Sequence, residues 1–162
     1  MMRPTTLGMA LGALSLALIV CVLGFQYLGG IPPCEMCHWQ RWPHIAAAAI
    51  GLGGGLLIRA GLIEENLGRT LAWMTIVLVA ASGGLGVYHA GVEWHWWPGP
   101  QACTGSAFRF TGGPLNLNAH MVMCDVAAWR LFGISLAGYN AIVSLASAAL
   151  GAYLLVNMKR KP

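Results

Sequence analysis

The sequence predicts an all-α integral membrane protein, a four-helix transmembrane bundle with both termini cytoplasmic and two cysteine-bearing outer loops. Three observations predict it. Of 162 residues, 57% are hydrophobic and only 9% are charged, against about 25% charged in an ordinary soluble domain. The runs Pro4 to Pro33, Trp42 to Ile58, Thr70 to Val92 and Leu131 to Met158 contain no Asp, Glu, Lys or Arg; they hold 30, 17, 23 and 28 residues, together 98 of the 162. A helix needs about 20 apolar residues to cross a hydrocarbon core about 30 Å thick, so four spans use most of the chain and leave no room for a sizeable aqueous domain. Finally, six of the nine basic residues (Arg3, Arg59, Arg69, Lys159, Arg160 and Lys161) fall on one side of those spans. The positive-inside rule makes that side cytoplasmic. High hydrophobicity excludes disorder, and a net charge of +4 without a basic stripe speaks against nucleic-acid binding.

The spans are expected at about 6–28, 42–60, 70–92 and 131–156, joined by outer loops at about 29–41 and 93–130 and a cytoplasmic loop at about 61–69. Arg3 followed by an apolar run resembles a signal peptide, but the run is too long and no small-residue cleavage site closes it, so it is expected to remain as a span. The second span is the shortest, carries Pro43 and Gly51, Gly53, Gly54 and Gly55, and gains length if Arg59 snorkels outward. Gly83, Gly84 and Gly86 in the third span, and Ser144, Ser147 and Ala148 in the fourth, permit close helix packing. Trp39, Trp42, Trp94, Trp96, Trp97 and Trp129 flank the outer ends, where indoles prefer the headgroup region.

The loops carry the chemistry. The first reads Ile31-Pro32-Pro33-Cys34-Glu35-Met36-Cys37-His38-Trp39-Gln40-Arg41, and the second contains Cys103 and Cys124. Cys21, within the first span, is expected to pack as a small apolar side chain. The four loop cysteines face an oxidising compartment and are disulfide candidates. Cys103 and Cys124 suit either a structural staple across a long loop or a redox pair. Cys34 and Cys37 close too small a ring to add much stability, and their spacing recurs in catalytic redox motifs. At the mouth of a membrane bundle, such a pair suggests electron transfer to something in the bilayer.

Pro33, Cys34, Cys37, Arg41, Cys103 and Cys124, with the four-span topology, make the whole chain resemble the DsbB family. The resemblance implies a quinone-dependent thiol oxidase of the bacterial inner membrane, which reoxidises a periplasmic DsbA-like partner and passes two electrons to ubiquinone or menaquinone. It implies that the partner attacks a Cys103–Cys124 disulfide at Cys103. Cys124 then attacks Cys34, and Cys37 is released as a thiolate facing the quinone. The start of the second helix and the Arg41 cation would both stabilise that thiolate. Arg41 could also donate to a quinone carbonyl. His44, three residues on, is a candidate for the same pocket. His89, four residues before Glu93, is a candidate donor to the quinone or else half of a structural polar pair.

Two other readings share these residues. Cys34-Glu35-Met36-Cys37-His38 matches the C-x-x-C-H pattern of covalent c-type haem, although it sits in a short loop and leaves Cys103 and Cys124 unexplained. A zinc site from Cys34, Cys37, His120 and Cys124 would need free thiolates on an oxidising side, so no metal is expected. His95 and His120 are expected at the interface or in solvent. The apolar segments Ala107 to Phe110 and Leu115 to Val122 suit either the membrane surface or a groove of a soluble partner.

Overall fold

A computed structural model describes residues 3–104 and 122–158. His120 and most of the two apolar loop segments lie outside the described residues. Apart from one two-stranded hairpin, the regular structure of the described chain is helical. α1 (Pro4–Tyr27), α2 (Glu35–Ala48), a π turn (Ala49–Gly53) and α3 (Gly54–Arg59) are followed by a 3-10 turn (Glu65–Leu67), α4 (Gly68–Glu93) and α5 (Leu136–Asn157). Three stretches, Pro4–Tyr27, Glu65–Glu93 and Leu136–Asn157, are long and apolar enough to cross a membrane, so the protein is a membrane helical bundle.

α1 opens with Pro4, whose missing N–H costs nothing in the first helical turn. α2 begins at Glu35, well before Pro43. Cys34 is its N-cap, and the Cys34 sulfur accepts the Cys37 N–H at 3.2 Å. Pro43 then sits inside the helix, where it removes the bond to the Trp39 carbonyl. α2, the π turn and α3 follow without a non-helical residue between them. Between the second outer loop and α5 lies a small hairpin in which β1 (Arg130–Leu131) pairs antiparallel with β2 (Ile134–Ser135). Its two central residues, Phe132 and Gly133, both have positive φ, as the tight hairpin turn requires. Ser135 then caps α5 by accepting the Gly138 N–H at 3.2 Å. The last uncharged run therefore enters its helix about five residues later than hydropathy suggests.

Small residues let the helices touch. A Cβ on Gly12 would lie 2.7 Å from the Leu52 nitrogen, so α1 and the π turn meet backbone to backbone. A Cβ on Gly86 would lie 2.9 Å from Ala137 O, which places α4 hard against α5. Gly84 instead faces open space. Leu7, Leu11, Ala47, Ala72, Ile76, Val79, Ala148 and Leu155 form the core toward one end. That end is tied by an Arg3–Glu65 ion pair at 3.2 Å and by Arg69 donating to the Leu155 carbonyl at 2.7 Å. At the other end, Trp94, Trp96 and Trp97 pack on one another and Trp129 packs on Phe25. Cys21 departs from expectation. It is exposed on α1, because the helix buries a face running from Thr5 to Ser15 and Cys21 lies beyond it.

Candidate functional site

Both cysteine pairs lie at the tryptophan-rich end in one buried group: Cys34, Cys103 and Cys124 pack with Met36 and Val92, and Cys37 leans against them. Cys103 and Cys124 form a disulfide with Cα atoms 5.3 Å apart, and the Cys124 N–H donates to the Cys103 carbonyl.

Cys34 and Cys37 are free thiols with sulfurs 2.8 Å apart. The helix start sets this distance, since the capping sulfur and a side chain in the first turn necessarily lie together. The two sulfurs differ sharply in character. Cys37 is held below the usual thiol range by the hydrogen bond from the Cys34 thiol, against the opposing effect of burial; the backbone bond to Cys34 and the Arg41 charge add to the lowering. Cys34 is pushed up by that same bond, in which it is the donor, and by burial. Of the two, Cys37 therefore gives up its proton the more readily.

Arg41 lies one helical turn beyond Cys37 and donates to Gln26 Oε1 of α1 at 2.8 Å. His89, only 3% exposed, approaches the pair from α4 with Nε2 3.5 Å from Cys34 Sγ and 3.7 Å from Glu93 Oε1. The backbone of Cys124 lies near its ring as well, so it stands beside both pairs. Its other nitrogen, Nδ1, meets Gln40 Nε2 at 2.7 Å. From Gln40 the polar contacts run inward to Asn140 at 2.8 Å, and Asn140 reaches His44 at 2.9 Å and Ser144 at 2.9 Å. His44 Nδ1 ends the chain on Ser15 Oγ at 3.2 Å.

A cavity of about 180 Å³ opens beside the sulfurs. Its walls include Leu18, Val22 and Phe25, and Cys37, Arg41 and His89 converge on it. Glu93 also lines it, and among the described residues its buried carboxylate oxygen Oε2 has no hydrogen-bond partner. Mostly apolar walls with Arg41 as a donor suit an apolar molecule that carries a carbonyl. Cys21 stands on the lining as well.

All four loop cysteines, Arg41, His44 and His89 therefore come to one end of the bundle. His44 reaches the cavity wall with both ring nitrogens already engaged. His38 and His95 are exposed and do not line the cavity. Sequence reasoning missed Gln26, Gln40, Ser82 and Asn140. The signal was present, because polar side chains at membrane depth seek one another or a ligand.

A helical membrane bundle that buries a closed and an open cysteine pair against each other defines a class of protein, the membrane disulfide oxidoreductases. The chain belongs to the DsbB family, whose model, described as Disulfide bond formation protein DsbB, matches residues 4–154. Among curated proteins, Disulfide bond formation protein B of Aromatoleum aromaticum is 28% identical over 152 residues, 86% of each chain. That of Verminephrobacter eiseniae is 29% identical over 154 residues, 89% of this chain and 80% of the relative. That of an Acidovorax species is 30% identical over 159 residues, 89% of this chain and 85% of the relative. No solved structure matches the chain significantly. The protein is a membrane disulfide-bond formation protein.

Proposed function

We propose that the protein reoxidises a periplasmic DsbA-like thiol oxidase and passes its two electrons through Cys103–Cys124 and then Cys34–Cys37 to ubiquinone or menaquinone. The observation that carries this reading is the burial of both pairs in one group beside an apolar cavity where Cys37 and Arg41 converge. The partner's thiolate attacks Cys103 and releases Cys124, which attacks Cys34 of the closed Cys34–Cys37 bond. A Cys34–Cys124 bond forms and Cys37 leaves as a thiolate. Arg41 and the helix start favour the negative charge on Cys37 as it leaves, and a stabilised thiolate is the better leaving group. The partner's second thiol displaces Cys103 and so closes the partner's own disulfide; Cys103 attacks Cys124 of the interloop bond, which re-forms Cys103–Cys124 and leaves Cys34 and Cys37 as a dithiol. The quinone would accept the two electrons and two protons of that dithiol as Cys34–Cys37 closes again. A DsbA-like partner sits near about −120 mV, so the acceptor must have a higher potential, which excludes glutathione.

In this reading Arg41 donates to a quinone carbonyl, and His89 lines the quinone cavity beside the sulfurs. His44 supports the same wall from beneath, through Asn140. In the inner membrane, the helical tract from Glu35 to Arg59 supplies the fourth span at about 42–60, beside those at about 6–28, 70–92 and 131–156. Both termini are cytoplasmic and the loops at about 29–41 and 93–130 are periplasmic. Six of nine basic residues support that orientation.

The test is turnover by the purified protein with reduced DsbA-like protein and a ubiquinone analogue, followed by loss of quinone absorbance. Quinone consumption that disappears in Cys37→Ser is expected. No consumption, or an unchanged rate in that variant, overturns the reading, and a Soret band on the purified protein would favour the haem alternative built on Cys34, Cys37 and His38.

A further inference from the structure

The hydrogen bonds behind His89 determine where its proton resides. Asn140 Nδ2 meets the Ser82 carbonyl at 3.2 Å, and a carbonyl only accepts, so that end of the Asn140 amide is the donor. The same nitrogen reaches Gln40 Oε1 at 2.8 Å, so Gln40 turns its oxygen toward Asn140. A second anchor agrees, for Gln40 Nε2 donates to the Met36 carbonyl at 3.2 Å. Reversing the Gln40 amide would set two acceptors face to face at Met36 and two donors face to face at Asn140. Gln40 Nε2 donates only, and it lies 2.7 Å from His89 Nδ1. That ring nitrogen therefore accepts and carries no proton. In a neutral imidazole the proton is then on Nε2, the atom 3.5 Å from Cys34 Sγ.

The same direction runs to the far end of the network. Asn140 Oδ1 accepts from Ser144 Oγ and from His44 Nε2, each at 2.9 Å, which leaves His44 Nδ1 to accept from Ser15 Oγ at 3.2 Å. Every donor in the chain has an acceptor without any amide being reversed.

We infer that Gln40 and Asn140 are positioning residues that hold His89 in its Nε2-protonated form, making it a fixed N–H donor toward the Cys34 sulfur instead of a base. The inference rests on the proposed role of Cys34 and Cys37. For His89 to accept a proton from Cys34, its own would have to move to Nδ1, directly against the Gln40 N–H. Gln40 would have to rotate, giving up both Met36 and Asn140. As a donor, Nε2–H favours negative charge on Cys34, the sulfur that is otherwise the proton-bearing member of the pair. The geometry also decides a metal question. Cys34, Cys37 and His89 present ligand atoms within 4.8 Å of one another, a spacing open to zinc, but a protonated Nε2 has no lone pair to give. Two thiols remain as ligands in place of three groups.

The test is 15N NMR of the full-length protein in micelles, with 15N-labelled histidine rings and without added quinone. The His89 signals are those lost in His89→Gln. Wild type is expected to show an unprotonated Nδ1 and a protonated Nε2. Gln40→Glu sets an acceptor-only carboxylate against Nδ1 and is expected to move a proton onto it. Asn140→Asp, which can no longer donate to Gln40 Oε1 but can accept from Gln40 Nε2, is expected to turn the Gln40 oxygen toward His89 with the same result, and it serves if Gln40→Glu does not fold. A protonated Nδ1 in wild type overturns the inference, as does a His89 spectrum unmoved by a folded variant of either kind. The readout is a proton position, so quinone turnover that fails with the expected tautomer in place counts against the proposed function alone. Turnover that proceeds with the other tautomer counts against this inference alone.

Discussion

Arg41 donates a 2.8 Å hydrogen bond to Gln26 Oε1, which ties the cation of α2 to the last part of α1 and fixes its guanidinium over the cavity next to Cys37. Without that tether, a long side chain near the headgroup region would be free to turn toward lipid phosphate. Removing the donor, as in Arg41→Ala, is expected to raise the quinone KM by about tenfold or more, since hydrogen bonds to charged groups are worth about 1.5–3 kcal/mol. Gln26→Leu leaves the charge and removes only its anchor, so a smaller rise of about fivefold is expected, near the roughly 1 kcal/mol of an ordinary hydrogen bond. Steady-state kinetics over a range of quinone concentrations distinguish the two, and equal KM values in Gln26→Leu and wild type would show that Arg41 needs no tether.

Alkylation of Cys37 against pH reads the asymmetry of the sulfur pair. Only a thiolate is alkylated, and Cys37 is held below the usual thiol range, chiefly by the Cys34 hydrogen bond. A lowered pKa keeps the thiolate present at pH values where an ordinary thiol is protonated. The rate should therefore stay on its plateau as pH falls through the ordinary thiol range and drop only at the lower value. Cys34→Ala removes the largest cause and is expected to move the inflection up. An inflection that stays in place in that variant would assign the lowering elsewhere.

The disulfide between Cys103 and Cys124 separates two effects. Cys103→Ser is expected to stop oxidation of the protein partner while a small dithiol still feeds Cys34 and Cys37 and, through them, quinone. It also opens a ring whose closure is worth about 3 kcal/mol in the chain-entropy account. A staple without a redox role predicts the stability loss with partner oxidation intact.

Helix packing is tested by two glycines of opposite surroundings. A Cβ at Gly12 meets backbone at 2.7 Å, so Gly12→Ala is expected to cost about 1–3 kcal/mol through overpacking. Gly84 has nothing within 4 Å of its would-be Cβ, and Gly84→Ala is expected to be neutral or to gain up to about 1 kcal/mol from helix propensity. Thermal unfolding in micelles ranks them, and a tolerated Gly12→Ala would show that α1 and the π turn separate easily.

Much of the candidate site was legible in the chain. The Pro33-Cys34 step, the spacing to Cys37 and the position of Arg41 are local, and a helix start converts them directly into geometry. The start of α2 was less legible, because Pro43 is a local signal and what overrides it is not. Propensity alone favours starting a helix at a proline, whereas the Cys34 cap and the packing of Met36 and Gln40 carry α2 back to Glu35. Cys21 could not be placed by hydropathy, because an apolar run does not say which face meets protein and which meets lipid.

Sequence by itself determined the solvent and the reagents: 9% charge demands a membrane, and four cysteines outside the uncharged helices confine thiol chemistry to one end. The tertiary structure decided which groups act on which. Gln40 meets His89 across 49 residues and Asn140 across 100, and no periodicity encodes such a meeting. Polar side chains inside an apolar bundle have no water to turn to, so each must find a partner on another helix. The direction of those bonds, which only packing can set, is what places a proton beside Cys34.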